Sequence, residues 1–212
     1  VVVGGGSGAR FGRLKQYEQL GEHRVIDWAR GAAQRVGDGV VVVVPAADAE
    51  REGAVAGGDT RSASVRAGLA VVPAEATIIC VHDAARPFAS DGLYQRVIGA
   101  VADGADAAVP GVAVTDTIKV VTTGADGQRT VLDTPDRETL VAVQTPQAFR
   151  AAVLRSAHAA GGDATDDAAL IERGGGRVVV VDGEQDNRKI TVPADLDWAR
   201  LHAAEQPGAV HS

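Results

Sequence analysis

Apolar positions fall in two rhythms along the chain. Largely apolar runs at 1–3, 40–44, 77–81 and 105–109, interrupted only by Thr77 and Asp106, predict buried strands, since a strand covered on both faces has no polar side to show. Pro45 and Pro110 are expected to close two of them. Between the runs the spacing becomes helical. Val25, Ile26, Ala29, Ala32, Ala33 and Val36 predict a helix over 24–36, and Val65, Leu69 and Val72 form one stripe over 60–72. A third helix is expected over 91–102 with Ser90 as its N-cap. The first 110 residues therefore alternate strand and helix, which implies an α/β fold with a mostly parallel sheet covered on both faces.

Residues 115–134 break this alternation. Two strands, 117–122 and 129–133, surround the turn Gly124-Ala125-Asp126-Gly127 and predict a hairpin. The β/α rhythm then returns, with a strand at 141–143 and a helix over 147–159. Thr165 is expected to cap a helix whose first turn carries Asp166 and Asp167. Strands at 177–181 and 187–191 and a helix from Pro193 to about Ala204 complete the pattern, with a frayed tail after Gln206. The expected organisation is one domain over 1–212 with an arm at about 115–134.

The chain has 212 residues, enough for a full core without staples. Its formal net charge of −7 and aromatic content of 3% argue against a nucleic-acid or anionic-membrane partner. No apolar run is long enough to span a bilayer. The single cysteine, Cys80, lies in the apolar run Thr77-Ile78-Ile79-Cys80-Val81 and reads as a buried, inert thiol. No secretory leader is visible, and the chain opens on Val1 with no methionine. The natural N-terminus is expected upstream, a longer bifunctional protein stays open, and the expected compartment is the cytoplasm.

Gly4-Gly5-Gly6-Ser7-Gly8-Ala9 satisfies a dinucleotide-binding pattern, and a strand precedes it. Two features count against that reading. Arg10, Phe11, Gly12, Arg13 and Lys15 follow where a helix should begin, and the run 40–44 ends in Pro45 rather than a ribose-binding acid. The segment instead offers backbone N–H groups beside Arg10, Arg13 and Lys15, a combination suited to an anion such as a phosphate. Asp83 lies just past a buried strand, where ligands of open α/β sheets bind. It is the expected Mg²⁺ contact, since that ion takes one or two carboxylates plus phosphate oxygens and water. His82 reads as structural.

Several motifs carry a family resemblance in order along the chain. They are Gly6-Ser7-Gly8-Ala9-Arg10-Phe11-Gly12 with Leu14-Lys15-Gln16-Tyr17, Gly57-Gly58-Asp59-Thr60-Arg61-Ser62-Ala63-Ser64-Val65, His82-Asp83-Ala84-Ala85-Arg86-Pro87, Asp116-Thr117-Ile118-Lys119, Thr134-Pro135-Asp136-Arg137, Gln144-Thr145-Pro146-Gln147, Thr165-Asp166-Asp167-Ala168 and Asp186-Asn187-Arg188-Lys189-Ile190-Thr191. Together the chain resembles the 2-C-methyl-D-erythritol 4-phosphate cytidylyltransferases. It departs from them in a shorter stretch between Arg10 and Lys15. The resemblance implies a three-layer, Rossmann-like nucleotidyltransferase fold with a protruding hairpin arm. It also implies Mg²⁺-dependent cytidylyl transfer from CTP to 2-C-methyl-D-erythritol 4-phosphate, with release of pyrophosphate.

The resemblance assigns residues as well. Arg10, Lys15, Lys189 and Arg150 form the implied catalytic set. Gly5, Gly6, Ser7, Gly8, Gly58, Asp59, Ser64 and Asp83 are implied to bind CTP. Arg86, Thr134, Arg137 and Thr165 are implied to bind the polyol substrate, with Thr134 and Arg137 reaching the site of a second copy in a homodimer. Three rivals remain at this point: a ribitol-5-phosphate cytidylyltransferase, an NAD-binding Rossmann oxidoreductase domain and a non-catalytic sugar-nucleotide sensor.

Overall fold

The computed structural model describes residues 1–5, 11–12 and 14–205. The tail after Gln206 lies outside the described residues. In chain order the strands are β1 (Val2–Val3), β2 (Gln19–Leu20), β3 (His23–Arg24), β4 (Val42–Val44), β5 (Val55–Ala56), β6 (Ile78–Asp83), β7 (Ala107–Ala113), β8 (Val120–Thr123), β9 (Arg129–Asp133), β10 (Val141–Val143), β11 (Gln147–Arg150) and β12 (Val178–Asp182). The α-helices are α1 (Val25–Val36), α2 (Ala49–Glu52), α3 (Arg61–Leu69), α4 (Asp91–Ala102), α5 (Ala151–Ala159), α6 (Ala168–Arg173) and α7 (Pro193–Ala204).

The main sheet runs β5-β4-β1-β6-β11-β7-β12. Pairing of β1 with β4, β1 with β6, β4 with β5 and β7 with β12 is parallel. β11, between β6 and β7, runs the other way, as does β10. Gly111 of β7 pairs with Val143 on one edge and Asp182 on the other, so β10 continues the edge that β11 leaves. The apolar runs are buried on both faces, as their composition requires. Ile79, Val81, Val109 and Phe149 pack toward α3, α5 and α6, while Cys80, Ala108 and Ala148 pack toward α4. α1 covers Val2 and Val44 on the α4 side. The result is the expected three-layer α/β fold. α7 closes one end on Phe88, Leu20, Trp28 and Ile190. Burial pushes the Cys80 thiol up to about 11.

The capping expectation at Ser90 holds, since its Oγ accepts from Leu93 N at 3.0 Å. Four expectations need correction. Residues 147–150 are strand rather than the first turn of a helix. The slot between β6 and β7 demands backbone partners on both sides, and this overrides the helical spacing that starts at Ala151. Pro110 does not end its strand. Its carbonyl accepts from Gln144 N at 2.8 Å, so its nitrogen faces the gap between β11 and β10, where no N–H is needed.

Residues 187–191 form no strand, and their backbone tie to the sheet side is Ile190 N to Ala85 O at 2.8 Å. Thr165 caps no helix. α6 begins at Ala168, Asp166 Oδ1 accepts from Ala169 N, and the Asp167 carboxylate turns away to Arg61 and His158.

The hairpin is present as β8 and β9, closed by Gly127 N to Gly124 O at 3.0 Å. Every residue from 115 to 134 is exposed, including Val121, Val131 and Leu132. Among the described residues no helix is long and apolar enough to cross a membrane.

Phe149 is the largest fully buried side chain among the described residues and lies where β11 meets α3, α5 and α6. Phe149→Ala is expected to cost about 3–5 kcal/mol, read as a lower urea midpoint with an unchanged slope.

Candidate active site

The register of the parallel strands gathers the candidate residues. Val3 pairs with Val43 of β4 and with Asp83 of β6, and Val44 pairs with Ala56 of β5. The chain therefore leaves β1, β4, β5 and β6 on one side, at Gly4-Gly5, Pro45-Ala46, Gly57-Gly58 and Asp83-Ala84. These ends line a cleft of about 660 Å³, which Lys15 and Lys189 also enter. It occupies the position in an open α/β sheet where ligands bind.

One wall is built on Ser64. Thr60 caps α3, accepting from Ala63 N at 3.1 Å, and Ser64 follows one turn on, buried. Its Oγ donates to Gly58 O at 3.3 Å. A Cβ on Gly5 would stand 2.7 Å from that oxygen, and one on Gly57 2.8 Å. Only glycine lets both strand exits close on the hydroxyl. The wall leaves backbone groups of Gly5 and Gly58 facing the cleft, with Asp59 exposed at its rim.

The floor is ionic. Lys189 Nζ donates to Asp83 Oδ2 at 2.6 Å, and Arg61 Nε donates to Asp83 Oδ1 at 3.2 Å. Burial alone would raise the Asp83 carboxyl, but Lys189, Arg61 and Arg86 hold it well below the usual carboxylate range. Asp83 is thus an ionised group matched by cations before any ligand arrives.

Behind it runs a hydrogen-bond chain whose direction is fixed by one end. The Arg86 carbonyl can only accept, so His82 Nε2 donates to it at 2.9 Å. Burial pulls the His82 imidazole down to about 4, so the ring is neutral near pH 7 and Nδ1 accepts. The Thr145 hydroxyl therefore donates to Nδ1 at 3.0 Å, and its oxygen accepts from Asp83 N at 3.0 Å. His82 is structural, as expected, and it orients the Asp83 backbone.

Lys15, Gly5, Gly58, Asp59, Ser64, Asp83 and Lys189 are brought together around one cleft. Gly6, Ser7, Gly8, Arg10 and Arg13 lie outside the described residues. Arg86 lies behind the cleft, where Nη1 donates to Asn187 O at 2.7 Å and fixes the segment carrying Lys189. Burial lowers its guanidinium pKa, opposed by Asp83. Thr165 is exposed just before Asp167.

Thr134 follows β9 at the end of the arm and Arg137 lies just beyond it, and neither lines this cleft. Thr134 Oγ1 accepts from Lys119 Nζ at 2.7 Å, and Arg137 Nη1 donates to Thr115 O at 3.0 Å. Arg150 is not brought to the cleft. It pairs with Ile78 at the start of β6, five residues before Asp83, and its Nε donates to Ala105 O at 3.1 Å. The reversed direction of β11 sends it to the opposite end of the sheet, about 16 Å away at strand spacing.

Sequence reasoning missed Arg61, Thr145 and Asp167 as parts of the site. Arg61 had one local signal, since it is the first residue after the N-cap Thr60, where a side chain faces back toward the strand ends.

A sequence model described as "IspD: 2-C-methyl-D-erythritol 4-phosphate cytidylyltransferase" matches residues 1–204. The chain belongs to this family. It is 41% identical over 231 residues to the 2-C-methyl-D-erythritol 4-phosphate cytidylyltransferase of Rubrobacter xylanophilus, covering 99% of this chain and 96% of that protein. It is 46% identical over 218 residues to the bifunctional enzyme IspD/IspF of Anaeromyxobacter dehalogenans, covering 94% of this chain. The chain spans only 55% of that bifunctional relative.

The fold matches the crystal structure of 2-C-methyl-D-erythritol 4-phosphate cytidylyltransferase from Thermus thermophilus with a TM-score of 0.78 at 34% identity, covering 96% of this chain and 97% of that one. Family membership favours neither the oxidoreductase nor the ribitol phosphate reading.

The His82 ring makes stability pH-dependent. The unfolded ring takes up a proton near its ordinary 6.5 and the folded one only near 4. Stability present above pH 6.5 is therefore lost as pH falls through this window, by up to about 1.4 kcal/mol per pH unit. Urea midpoints at pH 7, 6 and 5 are expected to fall more steeply for the natural protein than for His82→Gln, which keeps an amide donor but no titrating ring.

Proposed function

We propose that this protein transfers a cytidylyl group from CTP to 2-C-methyl-D-erythritol 4-phosphate. A phosphate oxygen of the polyol substrate attacks the α-phosphorus of CTP and forms the new P–O bond. The bond from that phosphorus to the bridging oxygen breaks, and pyrophosphate leaves with the electron pair. The observation that carries the reading is the meeting of Lys15, Lys189 and the Asp83 floor with the glycine-and-serine wall in one cleft, in a chain of this family.

Two anions must meet in that cleft, so the protein's main task is to position them and neutralise charge. Backbone groups of Gly5 and Gly58, set by Ser64, offer polar partners to the base. Lys15, entering the same cleft, acts on charge that develops as pyrophosphate departs. Lys189, half-buried and meeting Asp83 through Nζ, is placed to turn to the incoming phosphate. Asp83, ionised and oxygen-donating, suits a hard cation that takes one carboxylate plus phosphate oxygens. Mg²⁺ bound there would supply charge neutralisation of the triphosphate.

The arm supports a homodimer with shared sites. A two-stranded hairpin is marginal alone in water, and β8 and β9 leave Val121, Val131 and Leu132 exposed. A second copy supplies apolar surface through a two-fold contact. Thr134 and Arg137, remote from their own cleft, then serve the neighbouring one. Arg86 is the candidate to hold the polyol side from behind.

Three experiments test this reading. Pyrophosphate release is expected with CTP and the polyol phosphate, stopping with EDTA and returning with Mg²⁺. Equal rates with UTP or ATP would overturn the base assignment. Lys15→Ala is expected to lower kcat by ~10²–10³-fold, more than it raises KM for CTP, with Tm nearly unchanged. A heterodimer of Lys15→Ala and Arg137→Ala chains, isolated by two tags, is expected to recover about half the natural activity, because one of its two sites is intact. No recovery, or a monomer in sedimentation, refutes the shared site.

A further inference from the structure

The two cations on Asp83 are held in different ways. Lys189 lies in a segment without regular structure and meets Asp83 through Nζ. Arg61 sits at the first turn of α3 and is gripped on two edges. Nε donates to Asp83, and Nη1 donates to Asp167 Oδ2 at 2.6 Å. Asp167 is fully buried, and its other oxygen, Oδ1, accepts from His158 Nε2 of α5 at 2.9 Å. The loop before Asp167 is tied to the same helix start, by Thr60 Oγ1 donating to Asp163 Oδ1 at 2.9 Å and Ala164 N donating to Ser62 Oγ at 3.3 Å.

We propose that Arg61 is a positioning residue, clamped from behind by Asp167 and His158, that keeps the Asp83 carboxylate in place when Lys189 turns from it to a phosphate. The proposal rests on the cytidylyl-transfer reading only for which phosphate arrives.

The physical reason is charge balance. Lys189 can meet an incoming anion only by leaving or sharing Asp83 Oδ2. A carboxylate whose single cation departs is left uncompensated in a cleft wall, and that is strongly unfavourable. With Arg61 fixed, Asp83 stays paired throughout. The planar guanidinium fork suits this task, because it presents Nε and Nη1 to two carboxylates at once. A lysine is a point charge on a flexible stem and cannot hold both. Arg61 is itself held in place because moving it would take the guanidinium from the buried Asp167 carboxylate.

The test is a double-mutant cycle on kcat. Asp167→Asn keeps shape but removes the charge that grips Arg61. It is expected to lower kcat by about 10–100-fold, the scale of a small misplacement near the reacting groups, with KM for CTP within about threefold. In an Asp83→Asn background the same change should have no further effect, since Arg61 acts through Asp83. Multiplying effects, or a raised KM with unchanged kcat, would overturn the proposal.

Arg61→Lys keeps the positive charge and so guards against misfolding. It should lose kcat to a similar extent. An arm without turnover separates this proposal from the reading it rests on. The Arg61 Nε–H signal in ¹⁵N NMR should stay protected from exchange when inorganic phosphate saturates the natural protein, and lose that protection in Asp167→Asn. Loss of protection on adding phosphate to the natural protein would defeat the clamp, whatever the enzyme's substrates are.

Discussion

An ionised carboxylate at the bottom of a cleft has to be matched by charge, and the local architecture follows from that requirement at Asp83. Taking an ion out of water costs several kcal/mol unless partners repay it. The carboxylate's partners come from two separate parts of the chain, Lys189 from the segment before α7 and Arg61 from the start of α3, while the Thr145 hydroxyl, from the turn between β10 and β11, accepts from the Asp83 backbone N–H. Each of those segments is bent to the task. Residues 187–191 give up sheet pairing so that Lys189 and Asn187 turn inward. The Asn187 amide donates to Thr145 O at 2.8 Å. Asp167 leaves the start of α6 uncapped by its carboxylate so that it can hold Arg61.

The neutral groups around Asp83 are as constrained as the charged ones. The chain from the Arg86 carbonyl through His82 and Thr145 to the Asp83 N–H admits only one direction of donation. A proton on His82 Nδ1 would make the Thr145 oxygen accept from the ring as well as from Asp83 N and leave the hydroxyl hydrogen without its acceptor. Burial prevents this by keeping the ring neutral. The same imidazole thus links the loop after β6 to the turn before β11, and couples the backbone of the acid to the segment that carries Arg86.

Most of the architecture was legible in the sequence, because buried parallel strands are apolar on both faces and their register is set by short glycine and proline exits. The hairpin was legible from its turn residues. What failed was whatever depends on a neighbour in space. Gln147-Ala148-Phe149-Arg150 has no strand signature of its own; it is a strand because β6 and β7 flank it. Its reversed direction, invisible along the chain, removes Arg150 from the cleft. Pro110 stays within β7 because its carbonyl pairs across to Gln144 while its nitrogen faces a gap in the ladder. In the site, Gly5, Gly58, Ser64, Asp83, Lys15 and Lys189 could be placed from strand ends and motif order. Arg61 and Asp167 could not, because 106 residues separate them and no local pattern announces their contact.

β7 outruns β11, and from Gly111 to Ala113 it is joined on that edge by the three pairs with β10. Everything from there to the turn at Gly124 stands outside the packed layers. Ten residues separate position 114 from that turn, so at about 3.3 Å per residue the projection reaches at most about 33 Å. In mechanical terms it is a cantilever fixed by a short root. A rotation of about 5° at the root carries its tip about 3 Å, the length of a hydrogen bond. The angle at which three β-pairs leave the sheet therefore sets what the far end can touch, with an amplification that no residue in the core experiences.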